Sequence, residues 1–188
     1  MAPVYLIRHA RPSTGWSGGD PDPGLDPEGV RQALAVRDVL MALPPAERPA
    51  RVVSSPMRRC RETAQPLAEA LGVVVEVDPA VGEIPTPALA AEDRSGWLRQ
   101  AFRGLWREIE GELNYDAWRR SVAGALLPRG GAAVFSHFVA INGVVTAIAD
   151  EPKVIAFQPD HASVTVLESN GKALTLVAKG REAQTQVI

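Results

Sequence analysis

Three short apolar runs in this chain end in residues able to do chemistry. Leu6-Ile7 leads into Arg8-His9-Ala10-Arg11, and Val52-Val53 into Ser54-Ser55, with Arg58 and Arg59 just beyond. Val134-Phe135 leads into Ser136-His137. A fourth run, Val73 to Val77, is followed by Glu83. The chain has three histidines, and two of them stand at these ends. A histidine flanked by Arg8 and Arg11 is poorly placed to become a cation itself, so the stretch implies a bound anion or plain solvent exposure. Two histidines, several arginines and one carboxyl group make chemical sense around a phosphate. A neutral imidazole can attack phosphorus. Arginines can hold the equatorial oxygens with bidentate hydrogen bonds. A carboxylic acid can protonate a departing alkoxide and then, ionised, activate water. Such a site needs no metal and no cofactor, because the arginines supply the positive charge.

Each residue also has an ordinary reading. Arg58 and Arg59 open a helix and can be solvated or pair with Glu62. His137 can be a buried, hydrogen-bonded histidine, and Glu83 an exposed loop residue. Arg11, Ser13 and Thr14 can reach a substrate or simply be hydrated. His161 is read as a turn histidine, and Cys60, on an apolar helical stripe, as core. The joint placement of these groups at strand ends favours a site.

The elements that must position them follow from pattern. Val4–Ile7 is short, apolar and β-branched, as in a strand buried on both faces. A loop rich in Gly, Pro, Ser and Asp runs over residues 10–25. Asp26-Pro27-Glu28 then reads as an N-cap, a first-turn proline and an acidic first turn, opening a helix with Val30, Ala33, Leu34, Leu40 and Leu43. Arg51–Ser54 is a second strand. The next helix carries Cys60, Ala64, Leu67 and Leu71, is bent by Pro66 and stops at Gly72. Val73–Val77 is a third strand. Within 84–128, Leu98, Phe102, Leu105, Ile109 and Leu113 form one helical stripe, and a second helix spans 115–127. Ala132–Phe135 is a fourth strand, and 139–149 a helix apolar on nearly every side. Ser163–Leu167 and Ala173–Val177 flank a hairpin turn at Ser169-Asn170-Gly171-Lys172. This alternation predicts an α/β three-layer αβα sandwich with a mainly parallel central sheet. Open sheets of that kind bind ligands at the carboxyl ends of their strands.

Length and composition set the outer limits. The 188 residues suit one domain, read here as 1–188 with 84–128 as a helical lid. Apolar residues are 46% and charged residues 22%, with a net charge of −2, which gives no general field for nucleic acid or acidic membranes. The single cysteine cannot form an internal disulfide, and no run reaches the roughly 18 apolar residues of a membrane span. The expectation is a cytoplasmic protein without nucleic-acid or membrane partners, in which the apolar 84–128 segment leaves room for a homodimer interface.

The motifs resemble those of the histidine phosphatase superfamily, the phosphoglycerate-mutase-like fold. Its opening Arg-His-Gly is matched by Arg8-His9-Ala10, and its Asp-x-Pro-Leu-Thr-x-x-Gly-x-x-Gln-Ala segment is similar to residues 22–33. Its Ser-x-x-x-Arg-Ala-x-x-Thr-Ala signature is similar to 55–64, and its late Ser-His-Gly to Ser136-His137-Phe138. Gly111 to Tyr115 and Arg119-Arg120 look like the segment leading into a later helix of the family. The resemblance implies that His9 is the nucleophile, His137 the second histidine at the phosphate, Arg8 and Arg59 the phosphate clamps, and Glu83 the proton donor. It implies a small-molecule phosphate ester as substrate. Two departures stand out: Ala10 and Phe138 replace glycines. Alanine would be strained at position 10 if positive φ were required there, and Phe138 narrows the pocket or forms its wall.

Within the family, a compact chain with a simple lid favours phosphomonoester hydrolysis through a phosphohistidine. A phosphoglycerate or phosphosugar mutase, a phosphohistidine-protein phosphatase and a non-catalytic phosphate-binding module are the alternatives. Trp97, Phe102 and Trp106 either touch substrate from the lid or pack its helices onto the sheet.

Overall fold

A computed structural model of the chain describes residues 1–14 and 20–184; part of the 10–25 loop therefore lies outside the described residues. The elements run β1 (Ala2–Arg8), α1 (Pro27–Met41), β2 (Arg51–Ser54), α2 (Arg58–Leu71), β3 (Val75–Val77), α3 (Ala91–Arg103) and α4 (Tyr115–Leu126). They continue as β4 (Ala132–Ser136), α5 (Phe138–Ala149), β5 (Val164–Ser169) and β6 (Leu174–Ala178). One sheet takes the order β3-β2-β4-β1-β5-β6. β1 to β4 are mutually parallel, whereas β5 runs antiparallel to β1 and β6 antiparallel to β5. The α/β fold with a mostly parallel central sheet is therefore as expected.

Side-chain alternation divides the core between the two faces of the sheet. Tyr5, Ile7, Val52, Ala133 and Phe135 pack with Val36 and Leu40 of α1 and with Cys60, Ala64 and Leu67 of α2. Val4, Leu6, Val53, Ala132 and Val134 pack on the opposite side with Val122 and Leu126 of α4 and Ile141, Val144 and Val145 of α5. A third cluster joins Ile84, Leu98, Trp106, Tyr115 and Val154 to Phe138 and Val139 at the start of α5. It seats the 84–128 segment on the carboxyl end of the sheet, beside the residues that follow β4.

The helix ends are set locally. Asp26 accepts from the Gly29 amide at 2.7 Å, as an N-cap should. Gly72 closes α2 in the left-handed conformation. Some sequence expectations need correction. The stripe from Leu98 to Leu113 is not one helix: α3 ends at Gly104, and Leu105 leaves to bridge Lys153. A short 3-10 turn then carries Trp106 inward, while Leu113 is exposed. β3 begins at Val75 rather than Val73. On α1, Val30 and Leu34 face solvent, and Gly29, Ala33, Val36 and Leu40 form the buried face. Among the described residues no helix is long and apolar enough to cross a membrane.

Gly29 owes its place to a close approach. A Cβ built there would lie 2.1 Å from the carbonyl oxygen of Arg11. Alanine improves helix propensity by about 1 kcal/mol, but here the contact is with backbone and cannot relax cheaply. Gly29→Ala is expected to destabilise the protein by about 1–3 kcal/mol in urea unfolding, the usual range for overpacking.

Candidate active site

Adjacent parallel strands bring the two motif histidines together. Arg8 of β1 is in register with Ser136 of β4, and the His9 amide donates to the Ser136 carbonyl at 2.9 Å. The next residue on each strand is a histidine, and the two ring centroids lie 5.3 Å apart. His9 and His137 are 4% and 0% exposed.

The hydrogen bonds define the ring tautomers. His9 Nδ1 lies 2.9 Å from the Ala10 carbonyl, which can only accept, so Nδ1 carries the hydrogen and Nε2 keeps its lone pair. His137 Nδ1 lies 3.3 Å from Arg59 Nη2, which can only donate. The His137 proton is therefore on Nε2 and points to Ser55 Oγ at 2.8 Å. Burial holds both rings well below the ordinary histidine value, helped at His9 by His137, Arg8 and Arg59, and at His137 by Arg59 and Arg8. Both imidazoles are neutral near pH 7.

Arg59 and Thr63 share the inward face of α2, one turn apart. The Thr63 hydroxyl donates to the Arg59 carbonyl at 2.6 Å and accepts from the Ala10 amide at 2.9 Å. Arg58, one residue earlier, turns outward and pairs with Glu62 at 2.6 Å. Arg8 is buried, with Nη1 donating to the Pro159 carbonyl at 2.9 Å. Its guanidinium carbon sits 5.1 Å from the centre of the Phe138 ring, which in turn stacks on Phe102. Desolvation lowers Arg8 to about 10, leaving it charged at neutral pH.

Glu83 reaches the same place from the loop after β3. Its side chain is 10% exposed, and Oε2 lies 3.9 Å from His137 Nδ1. Oε1 accepts from the Ile84 amide at 2.9 Å. Desolvation outweighs that bond and the pull of Arg59, Arg8 and the Ala140 amide, raising this carboxyl to about 7. Among the described residues, two buried polar atoms here, Arg8 Nε and Glu83 Oε2, have no hydrogen-bond partner. An unpaired buried donor and acceptor are costly unless a ligand completes them. Together these groups offer an uncharged imidazole lone pair, two cations and a carboxyl poised near neutrality. Such a set can hold a phosphoryl group, attack it and move one proton.

Arg8, His9, Arg59, Glu83, His137 and Phe138 thus converge. Arg11 and Ser13 make other contacts: Arg11 Nε is paired with Asp26 at 2.7 Å, and Ser13 is exposed, its amide donating to the Gly24 carbonyl. Ala10 does not have the positive φ that would strain it, and its side chain is fully buried. Trp106 is packing, buried and bonded to Thr146 at 2.9 Å, and Trp97 donates to the Glu110 carbonyl at 2.7 Å. Cys60 is core, as expected, with burial raising its thiol. It also lies 3.4 Å from His137 Nε2.

The sequence reading missed His161. Its Nε2 lies 3.1 Å from Arg8 Nη2, and its ring centroid is 5.7 Å from that of His9. The signal was available in the hairpin. If β5 pairs antiparallel with β1, the residues entering β5 must meet those leaving β1. Ala162, beside it, has φ of +54°, a conformation costing an alanine about 1–2 kcal/mol.

A model of the histidine phosphatase superfamily (branch 1) matches residues 4–181. A probable phosphoglycerate mutase of Cronobacter sakazakii is 30% identical in an alignment 172 positions long that covers 81% of this chain and 77% of that protein. The fold is also that of a mycobacterial glucosyl-3-phosphoglycerate phosphatase, with a TM-score of 0.73 at 23% identity over 97% of this chain and 100% of that one. A phosphoserine phosphatase from Entamoeba histolytica, solved with 3-phosphoglyceric acid, aligns with a TM-score of 0.76. Its identity is 22%, over 100% of this chain and 99% of that one.

Proposed function

The chain belongs to branch 1 of the histidine phosphatase superfamily, and from that premise we propose that it hydrolyses small-molecule phosphate monoesters through a phosphohistidine on His9. The observation that carries this reading is the pairing of a neutral His9, its Nε2 lone pair free, with a nearly buried Glu83 whose carboxyl is raised to about 7.

The steps balance. His9 Nε2 attacks phosphorus, the bond from phosphorus to the ester oxygen breaks, and the Glu83 proton goes to that oxygen as the alcohol leaves. Arg8 and Arg59 hold the phosphoryl oxygens throughout, which makes a metal unnecessary. The Ser55 hydroxyl can accept from His137 Nε2 or donate to it. His137 can therefore shift its proton to Nδ1 and present it to a phosphoryl oxygen. Water then enters. Ionised Glu83 takes one of its protons, the oxygen bonds to phosphorus, and the P–N bond breaks, returning its electron pair to Nε2. Orthophosphate leaves and Glu83 is again protonated.

The names of the curated relatives favour a second reading as a mutase, in which the phosphoryl group returns to another hydroxyl of the same substrate. The relatively simple covering offered by residues 84–128, used as a lid, supports water as the acceptor. The presence of an acid at position 83 speaks against a phosphohistidine-protein phosphatase, because a phosphoramidate leaving group needs less protonation. The test is an assay of phosphorylated metabolites in excess chelator, following both orthophosphate and positional isomers. Release of orthophosphate is expected to exceed migration. Predominant migration would make the protein a mutase. Tight ester binding without turnover or a phosphoenzyme would make it a binding module.

A further inference from the structure

The loop entering β5 grips the phosphate clamp through His161 and the Pro159 carbonyl. A guanidinium has donors only, so the 3.1 Å contact between Arg8 Nη2 and His161 Nε2 requires an unprotonated Nε2 on the histidine. Burial first, and the charge of Arg8 second, lower His161 to about 4, so the ring stays neutral across the physiological range. The Pro159 carbonyl takes the other terminal nitrogen of Arg8 at 2.9 Å. Main-chain bonds tie the same loop to the end of β1. The Ala162 amide is shared between the carbonyls of Arg8 and His9 at 3.1 and 3.3 Å, and the Arg8 amide donates to the Ser163 carbonyl at 3.2 Å. Ala162 keeps its left-handed conformation inside this clamp. Strain held in place beside a site calls for a reason in that site.

We propose that His161 is a positioning residue for Arg8. Its Nε2 and the Pro159 carbonyl hold the two terminal nitrogens while the Phe138 ring lies against the guanidinium, so that the buried, unpaired Nε of Arg8 is kept for a phosphoryl oxygen. A cation of fixed orientation can accept a phosphate without first giving up other rotamers, and that saving in ordering is where the affinity arises. The role rests on the phosphate-ester reading above.

Calorimetric titration with inorganic phosphate tests it independently of turnover. His161→Ala is expected to weaken phosphate binding about 10-fold, the upper end of the cost of ordering one rotamer-rich side chain on binding. His161→Gln, whose amide oxygen can replace the accepting nitrogen, should recover binding to within about threefold of the wild type. In an Arg8→Lys background the His161→Ala change should add less than about twofold, because its effect runs through the guanidinium. Unchanged binding in His161→Ala, failure of the glutamine to restore it, or fully additive losses in the double variant would each overturn the role. A wild-type protein that binds no phosphate overturns the phosphate reading itself and the role with it, a result distinct from the other three.

Discussion

Replacing His9 by alanine is expected to lower phosphate release from an aryl phosphate by at least about 10,000-fold, the scale of losing a nucleophile that acts with its partners as one unit. His9 donates through Nδ1 to the Ala10 carbonyl, which leaves Nε2 as the only lone pair on the ring. Burial and the neighbouring cations keep that lone pair free of a proton. Alanine removes the attacking atom, and His137 cannot take its place: its Nε2 faces Ser55, and with phosphate bound its Nδ1 carries the proton and has no lone pair to attack with. The measurement is single-turnover release together with trapping of a radiolabelled phosphoenzyme, which should be stable in base and labile in acid. Full activity in the alanine variant, or a label carried on another residue, would falsify the mechanism.

The second large effect concerns Glu83. Glu83→Gln is expected to cost about 100- to 10,000-fold on alkyl phosphates, which need a proton on the leaving oxygen. It should cost far less in the phosphorylation step on a nitrophenyl ester, read as the burst of nitrophenol, because that leaving group needs no proton. The pH profile follows from the raised carboxyl. The acid must be protonated in the free enzyme, so kcat/KM for alkyl esters should fall as pH rises through about 7. The glutamine variant should lose that limb, and a limb that persists would assign it to another group. Stability gives an independent check. The folded-state pKa is above the unfolded value, so this group's contribution is fully present below the unfolded pKa and is lost as pH rises through about 7. Glu83→Gln should therefore stabilise the protein at pH 8 relative to the wild type and have a smaller effect at pH 5.

Much of the site was legible because its residues sit at strand ends with local signatures. A short β-branched run followed by a helix cap states where a strand stops and which residue comes next. In a parallel sheet every such end points to one rim. That logic placed His9, His137 and Arg59 together, and Glu83 by its position in the loop after β3. The choice of Arg59 over Arg58 came from motif register, and its physical basis is helical. Arg59 shares a face with Thr63, whose hydroxyl holds the Ala10 amide, whereas Arg58 falls on the face of Glu62.

The unread parts depend on neighbours distant in sequence. Periodicity carried the 98–113 stripe through Gly104, because spacing alone cannot register that Leu105 finds a partner in Lys153. Arg8 and Arg11 look equivalent as letters. One is drawn under Phe138 and bonded to residues more than 150 positions away, and the other is captured by the α1 cap, Asp26. Phe138 reads as an intrusion on a glycine position, yet it becomes the surface on which the clamp rests.

Taken alone, the sequence determined the α/β fold class, the family and the inward-facing motif residues, because strand alternation, caps and turn residues act over a few positions. The tertiary structure decided the state of those residues and the company they keep. Only packing could make His9 and His137 neutral, raise Glu83 toward neutrality and bring His161 to Arg8. Desolvation and strand pairing are properties of groups that meet in space, and β5 meets β1 across most of the length of the chain.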